Sequence, residues 1–137
     1  MEQSERYHIK TASTLSALVI HENHYHIAHI GDSRIYLMET EILRQITEDQ
    51  INDGRLSNYL GKPHDFQIWY NEGSIHSGKF LICSDGLYRR PGHRRIAAYV
   101  NALTHKNIRP ALEEMAQCAI DLGETDNITL AVVICKK

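Results

Sequence analysis

Two aspartates lie where apolar segments of the chain begin or end. Asp85 follows the apolar residues 81–83 and precedes Gly86, and Asp126 comes just before the β-branched run at residues 128–135. Two carboxylates beside buried strands would be costly to desolvate and would repel each other. A divalent cation relieves both problems, and Mg²⁺ or Mn²⁺ prefers carboxylate oxygens and water as ligands. The spacing therefore predicts a metal site that activates water, although Ser-Asp-Gly and Asp-Asn are also common turn sequences, so capping of two turns is an open alternative.

The composition narrows the class of protein. The 137 residues carry 15 basic and 17 acidic side chains. The length indicates one domain over residues 1–137. The near balance of basic and acidic side chains argues against a nucleic-acid partner. The three cysteines have no Cys-x-x-Cys spacing, which is typical of reduced thiols in a cytoplasmic protein. We find no apolar run long enough to cross a membrane, so we predict no membrane partner.

The hydrophobic pattern predicts mostly strands, then two helices and a last strand. We predict strands at 14–20, 24–30, 35–38, 43–47, 66–70 and 79–83, with one helical turn possible at 55–60. Helices are predicted at 94–102 and 110–122, the latter ended by Gly123 and carrying an apolar stripe. The last strand, 128–135, is apolar on both faces and is expected at the centre of a sheet. This order predicts an α+β domain in which helices cover antiparallel sheet.

Two side-chain clusters suggest other ligands. His21, His24, His26 and His29 crowd into one predicted hairpin. His24 and His26 share a strand face, so a third ligand supplied across the turn would complete a zinc site, while His29 faces the other way. Half-exposed polar strand residues are the simpler interpretation. The basic pairs at 89–90 and 94–95 suit a phosphorylated partner, but a solvated loop and helix start explain them more simply.

Five short motifs occur together, in a fixed order. They are Gly-Asp-Ser-Arg at 31–34, Thr-Glu-Asp-Gln at 47–50, Tyr-Leu-Gly at 59–61, Cys-Ser-Asp-Gly-Leu at 83–87 and Thr-Asp-Asn-Ile-Thr at 125–129. In this order the chain resembles the metal-dependent serine/threonine protein phosphatase family, type 2C, in its bacterial form. The resemblance extends over residues 14–135.

The resemblance implies a fold and a site. The implied fold is an antiparallel β-sandwich flanked by helices in α-β-β-α layers. Asp85 and Asp126 match ligands of a binuclear Mn²⁺ or Mg²⁺ centre, and Asp49 matches an acid that helps to hold a third, weaker metal. A water that bridges two metals would attack the phosphorus of phosphoserine or phosphothreonine in a protein substrate. The supporting residues implied are Gly86 and Asn127, together with Asp32 and Arg34, which tie their turn together.

The chain also departs from the family pattern. The Asp-Gly-x-Gly-Gly turn whose acid bridges the metals has no counterpart here, because the match starts at Ala12-Ser13-Thr14. Arg89 stands where many members carry an acid for the third metal. We therefore expect a truncated, carboxyl-terminal portion of the domain, with weak or absent activity unless another polypeptide or a second copy completes it. The alternative is a non-catalytic module that pairs with itself or with a partner through open sheet edges.

Overall fold

The computed structural model describes residues 11–136, so residues 1–10 and 137 of the predicted domain lie outside it. The described residues form nine strands and three helices. Eight strands come first, then the three helices and the last strand, so the order is not a regular βαβ repeat. The strands are β1 (Leu15–His21), β2 (His24–Ile30), β3 (Arg34–Met38), β4 (Leu43–Gln45), β5 (Ile51–Asn52), β6 (Arg55–Leu56), β7 (Trp69–Ser74), β8 (Gly78–Cys83) and β9 (Leu130–Cys135). The helices are α1 (Asp85–Tyr88), α2 (Gly92–Ala102) and α3 (Ile108–Asp121).

The first sheet has three antiparallel strands in the order β1-β2-β7. β1 and β2 form the predicted hairpin, and its turn residue Glu22 takes a positive φ of 53°. Side chains alternate along β2, because Tyr25 and Ile27 are buried while His24 and His26 are exposed. The alternation gives this sheet one face toward the core and one toward solvent.

The second sheet has four antiparallel strands in the order β4-β3-β8-β9. One face of β3 and β8 packs on the first sheet, in a cluster made of Tyr25, Ile27, Ile35, Leu37, Ile75 and Phe80. Their other face supplies Tyr36, Leu81 and Cys83 to a second cluster shared with the helices. β8 is buried on both faces, which explains its continuous apolar sequence.

The two longer helices cover the outer face of the four-stranded sheet. Ile96 and Val100 of α2 and Met115 of α3 are buried against it. α3 begins two residues before the predicted Pro110 and ends just before Gly123, whose φ is 93°. Met115 and Ala119, two residues of the predicted apolar stripe, are buried, whereas Ile120 of the same stripe is exposed. No helix in the range 11–136 is both long and apolar enough to span a bilayer.

The α+β antiparallel sandwich is therefore confirmed, but the predicted central position of the last strand is wrong for the described chain. β9 pairs with β8 and forms the edge of the four-stranded sheet. Leu130 and Val132 face the helices, whereas Ala131 and Val133 point to the other side and are exposed. The opposite sheet has one strand fewer. Cys135, on the same side of β9 as Ala131 and Val133, packs against the cluster between the sheets, so the described residues cover that side only at its carboxyl end.

Two local predictions also needed correction. The strand predicted at 66–70 lies at Trp69–Ser74, because pairing with β2 sets its register from His29↔Trp69 to His24↔Ser74. Gly73 lies in this strand opposite Tyr25. The position requires glycine because a Cβ there would lie 2.5 Å from the hydroxyl of Tyr25. The possible helical turn at 55–60 is absent: β5 and β6 form a tight hairpin around Asp53-Gly54, both at positive φ.

Candidate functional site

Asp85 and Asp126 lie at the same end of the four-stranded sheet. β8 ends at Cys83, Ser84 is extended, and Asp85 is the first residue of α1. The backbone N–H of Ser84 donates to the carbonyl of Thr129 at 2.9 Å, and the N–H of Thr129 donates to Ser84 Oγ at 3.0 Å. These bonds hold the end of β8 against the segment that precedes β9, so two acids 41 residues apart in sequence are brought together.

Gly86 allows a close approach between α1 and the same segment. A Cβ at Gly86 would lie 2.3 Å from the carbonyl oxygen of Asn127, which is closer than any side chain tolerates. The structure therefore places Gly86 and Asn127, both predicted to support the site, in direct contact. Their contact sets how near α1 lies to Asp126.

Arg89 is the residue that joins the two acids. Its Nη2 donates to Asp85 Oδ2 in a close contact and to Asp126 Oδ2 at 3.1 Å. The hydrogen bond to Asp85 raises the pKa of Arg89. The motifs mark Arg89 only as a cation where many family members carry an acid, and no sequence pattern shows that both carboxylates converge on one of its nitrogens.

Glu124 is a further acid that the motifs did not point to. Its side chain is 3% exposed, and its Oε1 lies 3.9 Å from Arg89 Nη1. Oε1 also accepts hydrogen bonds from the backbone N–H groups of Asp126 at 2.9 Å and Thr125 at 3.0 Å, and the bond from Asp126 is the main cause of the lowered pKa of Glu124. Oε2 is buried and has no hydrogen-bond partner among the described residues. An acid in a polar turn carries no sequence signal for burial.

Asp32 adds negative charge beside this group. Burial raises the pKa of Asp32, and the nearby Asp85 carboxylate raises it further. The backbone carbonyl of Asp32 accepts a hydrogen bond from the hydroxyl of Tyr88 at 2.6 Å, which links its turn to α1. The acids at this end of the sandwich are thus electrostatically coupled.

The resemblance implied that Asp32 and Arg34 tie their turn together, but the Arg34 side chain pairs with Asp49 instead. Its Nε and Nη2 bind the carboxylate of Asp49, with the shortest contact 2.6 Å, and its guanidinium stacks 3.6 Å from the ring centre of Tyr88. Burial opposes ionisation of Arg34, but pairing with Asp49 raises its pKa overall. Asp49 is therefore engaged in an ion pair, and its role as a ligand for a third metal stays a prediction.

The histidine hairpin does not form a zinc site in the described structure. His29 is buried, donating from Nε2 to the carbonyl of Gly31 at 3.0 Å and lying 2.8 Å from Ser16 Oγ through Nδ1. His24 and His26 lie on the opposite, exposed face. Within residues 11–136 no three His, Cys, Asp or Glu side chains are arranged to hold a metal ion.

The absence of a three-ligand cluster among residues 11–136 also concerns the predicted Mn²⁺ or Mg²⁺ centre. Asp85 and Asp126 offer carboxylate oxygens, which are ligands of the right chemical type, and both carboxylates contact Nη2 of Arg89. However, the described residues supply no third ligand, and the guanidinium of Arg89 lies between the two carboxylates. In this arrangement the residues do not fit a divalent cation.

Comparison with known proteins places this geometry in context. No protein-family model matches the chain. It is 26% identical over 140 residues to the serine/threonine protein phosphatase PstP of Mycobacterium tuberculosis, a match that covers 88% of this chain and 27% of PstP. It is also 26% identical over 142 residues to the serine/threonine phosphatase stp of Listeria monocytogenes, covering 88% of this chain and 56% of stp. The chain thus spans about a quarter to a half of the length of these relatives.

Solved structures show the same fold. The catalytic domain of PstP in complex with two manganese ions superimposes with a TM-score of 0.83 at 22% identity, over 98% of this chain and 65% of that one. The resemblance to serine/threonine phosphatases that the motifs indicated is confirmed by these relatives and by the shared fold.

Proposed function

We propose that this chain is part of a serine/threonine phosphatase domain of the type 2C kind, which hydrolyses phosphoserine and phosphothreonine in protein substrates with Mn²⁺ or Mg²⁺. One observation carries the proposal: Asp85 and Asp126 converge on a single nitrogen at one end of the sandwich. It is supported by the fold shared with a phosphatase that holds two manganese ions. Because the chain spans only part of its relatives, the activity belongs to a completed domain.

Within this proposal, Asp85 and Asp126 would hold the metal in place of Arg89 in the completed domain, and Asp49 would help to hold a third, weaker metal. When bound, a divalent cation acts as a Lewis acid and lowers the pKa of water toward neutrality. Gly86 and Asn127 set the approach of α1 to Asp126, and so the distance between the two acids. Asp32 and Arg34 support the site from the neighbouring turn, where Arg34 holds Asp49.

The partners follow from the same proposal. The substrate is a phosphorylated protein, and a second copy or another polypeptide completes the domain. The three free cysteines suit the reducing cytoplasm, where we place the protein. The chain by itself is then a weak catalyst, since its described residues offer two carboxylates and a competing guanidinium.

Hydrolysis of a small aryl phosphate tests this function. We expect slow turnover by the purified chain at high Mn²⁺ concentration, and we expect Asp85→Asn or a chelator to reduce it at least tenfold. Asp121→Asn, an equal loss of charge on an exposed position of α3, should leave turnover unchanged. If folded protein shows no turnover that depends on Asp85, the chain does not catalyse the reaction.

A second candidate is a non-catalytic module that binds through its sheet edges. The observation that favours it is the pair of edge strands β1 and β9, on which Val19 is 59% and Val133 is 37% exposed. An unpaired edge strand offers backbone groups to a further strand. Folded protein that associates but does not hydrolyse phosphate would favour this candidate.

A further inference from the structure

We propose that Arg89 is the resident cation of this site: its guanidinium binds Asp85 and Asp126 together and excludes a divalent cation from the point between them. The inference rests on the proposed function only in taking these acids as the metal carboxylates. It concerns which cation the two acids hold, and it is tested by metal binding rather than by catalysis.

Arg89 occupies the position between the two carboxylates that a metal ion would take. A single nitrogen, Nη2, contacts one oxygen of Asp85 and one of Asp126. Mg²⁺ or Mn²⁺ needs carboxylate oxygens at roughly 2.0–2.2 Å, in the space that this nitrogen fills. The guanidinium and the ion therefore exclude each other, and a metal must first displace Arg89.

The surroundings of Arg89 are strongly acidic. Its Nη1 lies 3.9 Å from the buried Glu124, whose Oε2 has no hydrogen-bond partner in the described chain. Arg89 thus faces three carboxylates at once. Displacing it would take from the buried Glu124 the one cation within 4 Å of it in the described chain, which adds to the cost of metal entry.

The local backbone directs the Arg89 side chain toward Asp85. Arg89 directly follows α1, and its N–H donates to the carbonyl of Asp85 at 3.2 Å, so the side chain starts one helical turn from its first partner. The planar guanidinium can then reach two carboxylates with separate N–H bonds. A lysine ammonium has the same charge without that fork, so it should bridge the acids less well.

The test is Mn²⁺ binding to the full chain, measured from the electron paramagnetic resonance signal of free Mn²⁺. We expect the Kd of Arg89→Met to be at least tenfold lower than that of wild type, with Arg89→Lys in between. Arg90→Met is the matched control, because it removes the same charge from an adjacent exposed arginine that makes no ion pair among the described residues. Its Kd should stay within twofold of wild type.

A second measurement guards against loss of folding. In chelator, the Tm of Arg89→Met should fall below that of wild type, and Mn²⁺ should raise it again because the ion binds only the folded state. If Arg89→Met does not fold by circular dichroism, Arg89→Lys carries the comparison, with a Kd expected at least threefold lower than wild type.

Three outcomes would overturn the inference. They are equal Mn²⁺ affinity in wild type and the Arg89 variants, a gain equal to that of Arg90→Met, and a gain that persists when Asp85→Asn is added. Tighter Mn²⁺ binding by Arg89→Met without any hydrolysis would uphold the inference and contradict the proposal that this chain by itself is a weak catalyst. Hydrolysis by a wild type that binds Mn²⁺ as tightly as Arg89→Met would do the reverse.

Discussion

At the scale of single residues, two arginines neutralise the acids at one end of the sandwich, in different environments. Arg34 and Asp49 are largely enclosed, and their carboxylate–guanidinium contact is bidentate. Arg89 is 47% exposed, and its acids are partly exposed as well. Because solvent weakens exposed ion pairs, we expect Arg34 to contribute more to stability and Arg89 to decide more about cation binding.

His29 should make stability depend on pH. Burial lowers its pKa, and its Nε2–H donates to Gly31, so the folded protein holds the neutral ring. The unfolded chain takes up a proton below about pH 6.5, whereas the folded chain resists it until its lower pKa is reached. The contribution of His29 to the free energy of unfolding should therefore reach its full value above pH 6.5 and decline as the pH falls below it.

Urea unfolding between pH 7.5 and 5.5 measures this effect. His29→Gln, which keeps a polar side chain without a titrating ring, should flatten the decline. His64→Gln, at an exposed position, should keep the wild-type slope. An identical slope in wild type and His29→Gln would show that the buried ring does not cause the pH dependence.

At the scale of elements, the site depends on the contact of the short helix α1 with the segment before β9. α1 has only four residues, too few to be stable by itself, so tertiary contacts must hold it. The contacts include Tyr88 with the turn at Asp32 and Gly86 with Asn127. Where α1 sits therefore decides where Asp85 points.

Gly86→Ala should destabilise the protein by about 2 kcal/mol or more, as overpacking does in a tight core. The added methyl would meet the backbone carbonyl of Asn127, which cannot move like the end of a flexible side chain. The free energy of unfolding in urea measures the loss.

Gly54→Ala is the matched control. Gly54 has a positive φ of 72° but no atom within 4 Å of an added Cβ, so the change costs only about 1 kcal/mol of backbone strain. A loss at Gly86 no greater than at Gly54 would contradict a tight contact between α1 and Asn127.

At the scale of the whole molecule, the described chain has a covered side and open edges. The helices cover the four-stranded sheet, while β1 and β9 are edge strands. Near them the sheets separate to leave a cleft of about 300 Å³, lined in part by Leu15, Ile82 and Ala131. An edge with exposed apolar side chains favours pairing with another strand.

We expect the chain to self-associate at high concentration, with a sedimentation coefficient that rises with loading. Val19→Lys should reduce this association, because a lysine on an edge strand disfavours strand pairing. Thr40→Lys, which adds the same charge at an exposed position outside the strands, should not. A wild type that stays monomeric at all concentrations would contradict association through the edges.

Most of the local structure could be predicted from the sequence. Side-chain periodicity placed the β1–β2 hairpin, β8 and the two longer helices, since alternation and helical stripes record which face is buried. It also put Asp85 and Asp126 beside strand ends, because an apolar run stops where the chain leaves the core. The order of five motifs added the resemblance to the phosphatases.

The contacts between distant groups are visible only in the folded chain. Arg89 bridges to an acid 37 residues away, Arg34 binds Asp49 instead of the nearer Asp32, and Glu124 is buried in a polar turn. β9 lies at an edge although its residues are apolar on both faces. Periodicity reports how buried a residue is, but the partner of a charged group or of a strand depends on contacts between distant segments, which no local pattern records.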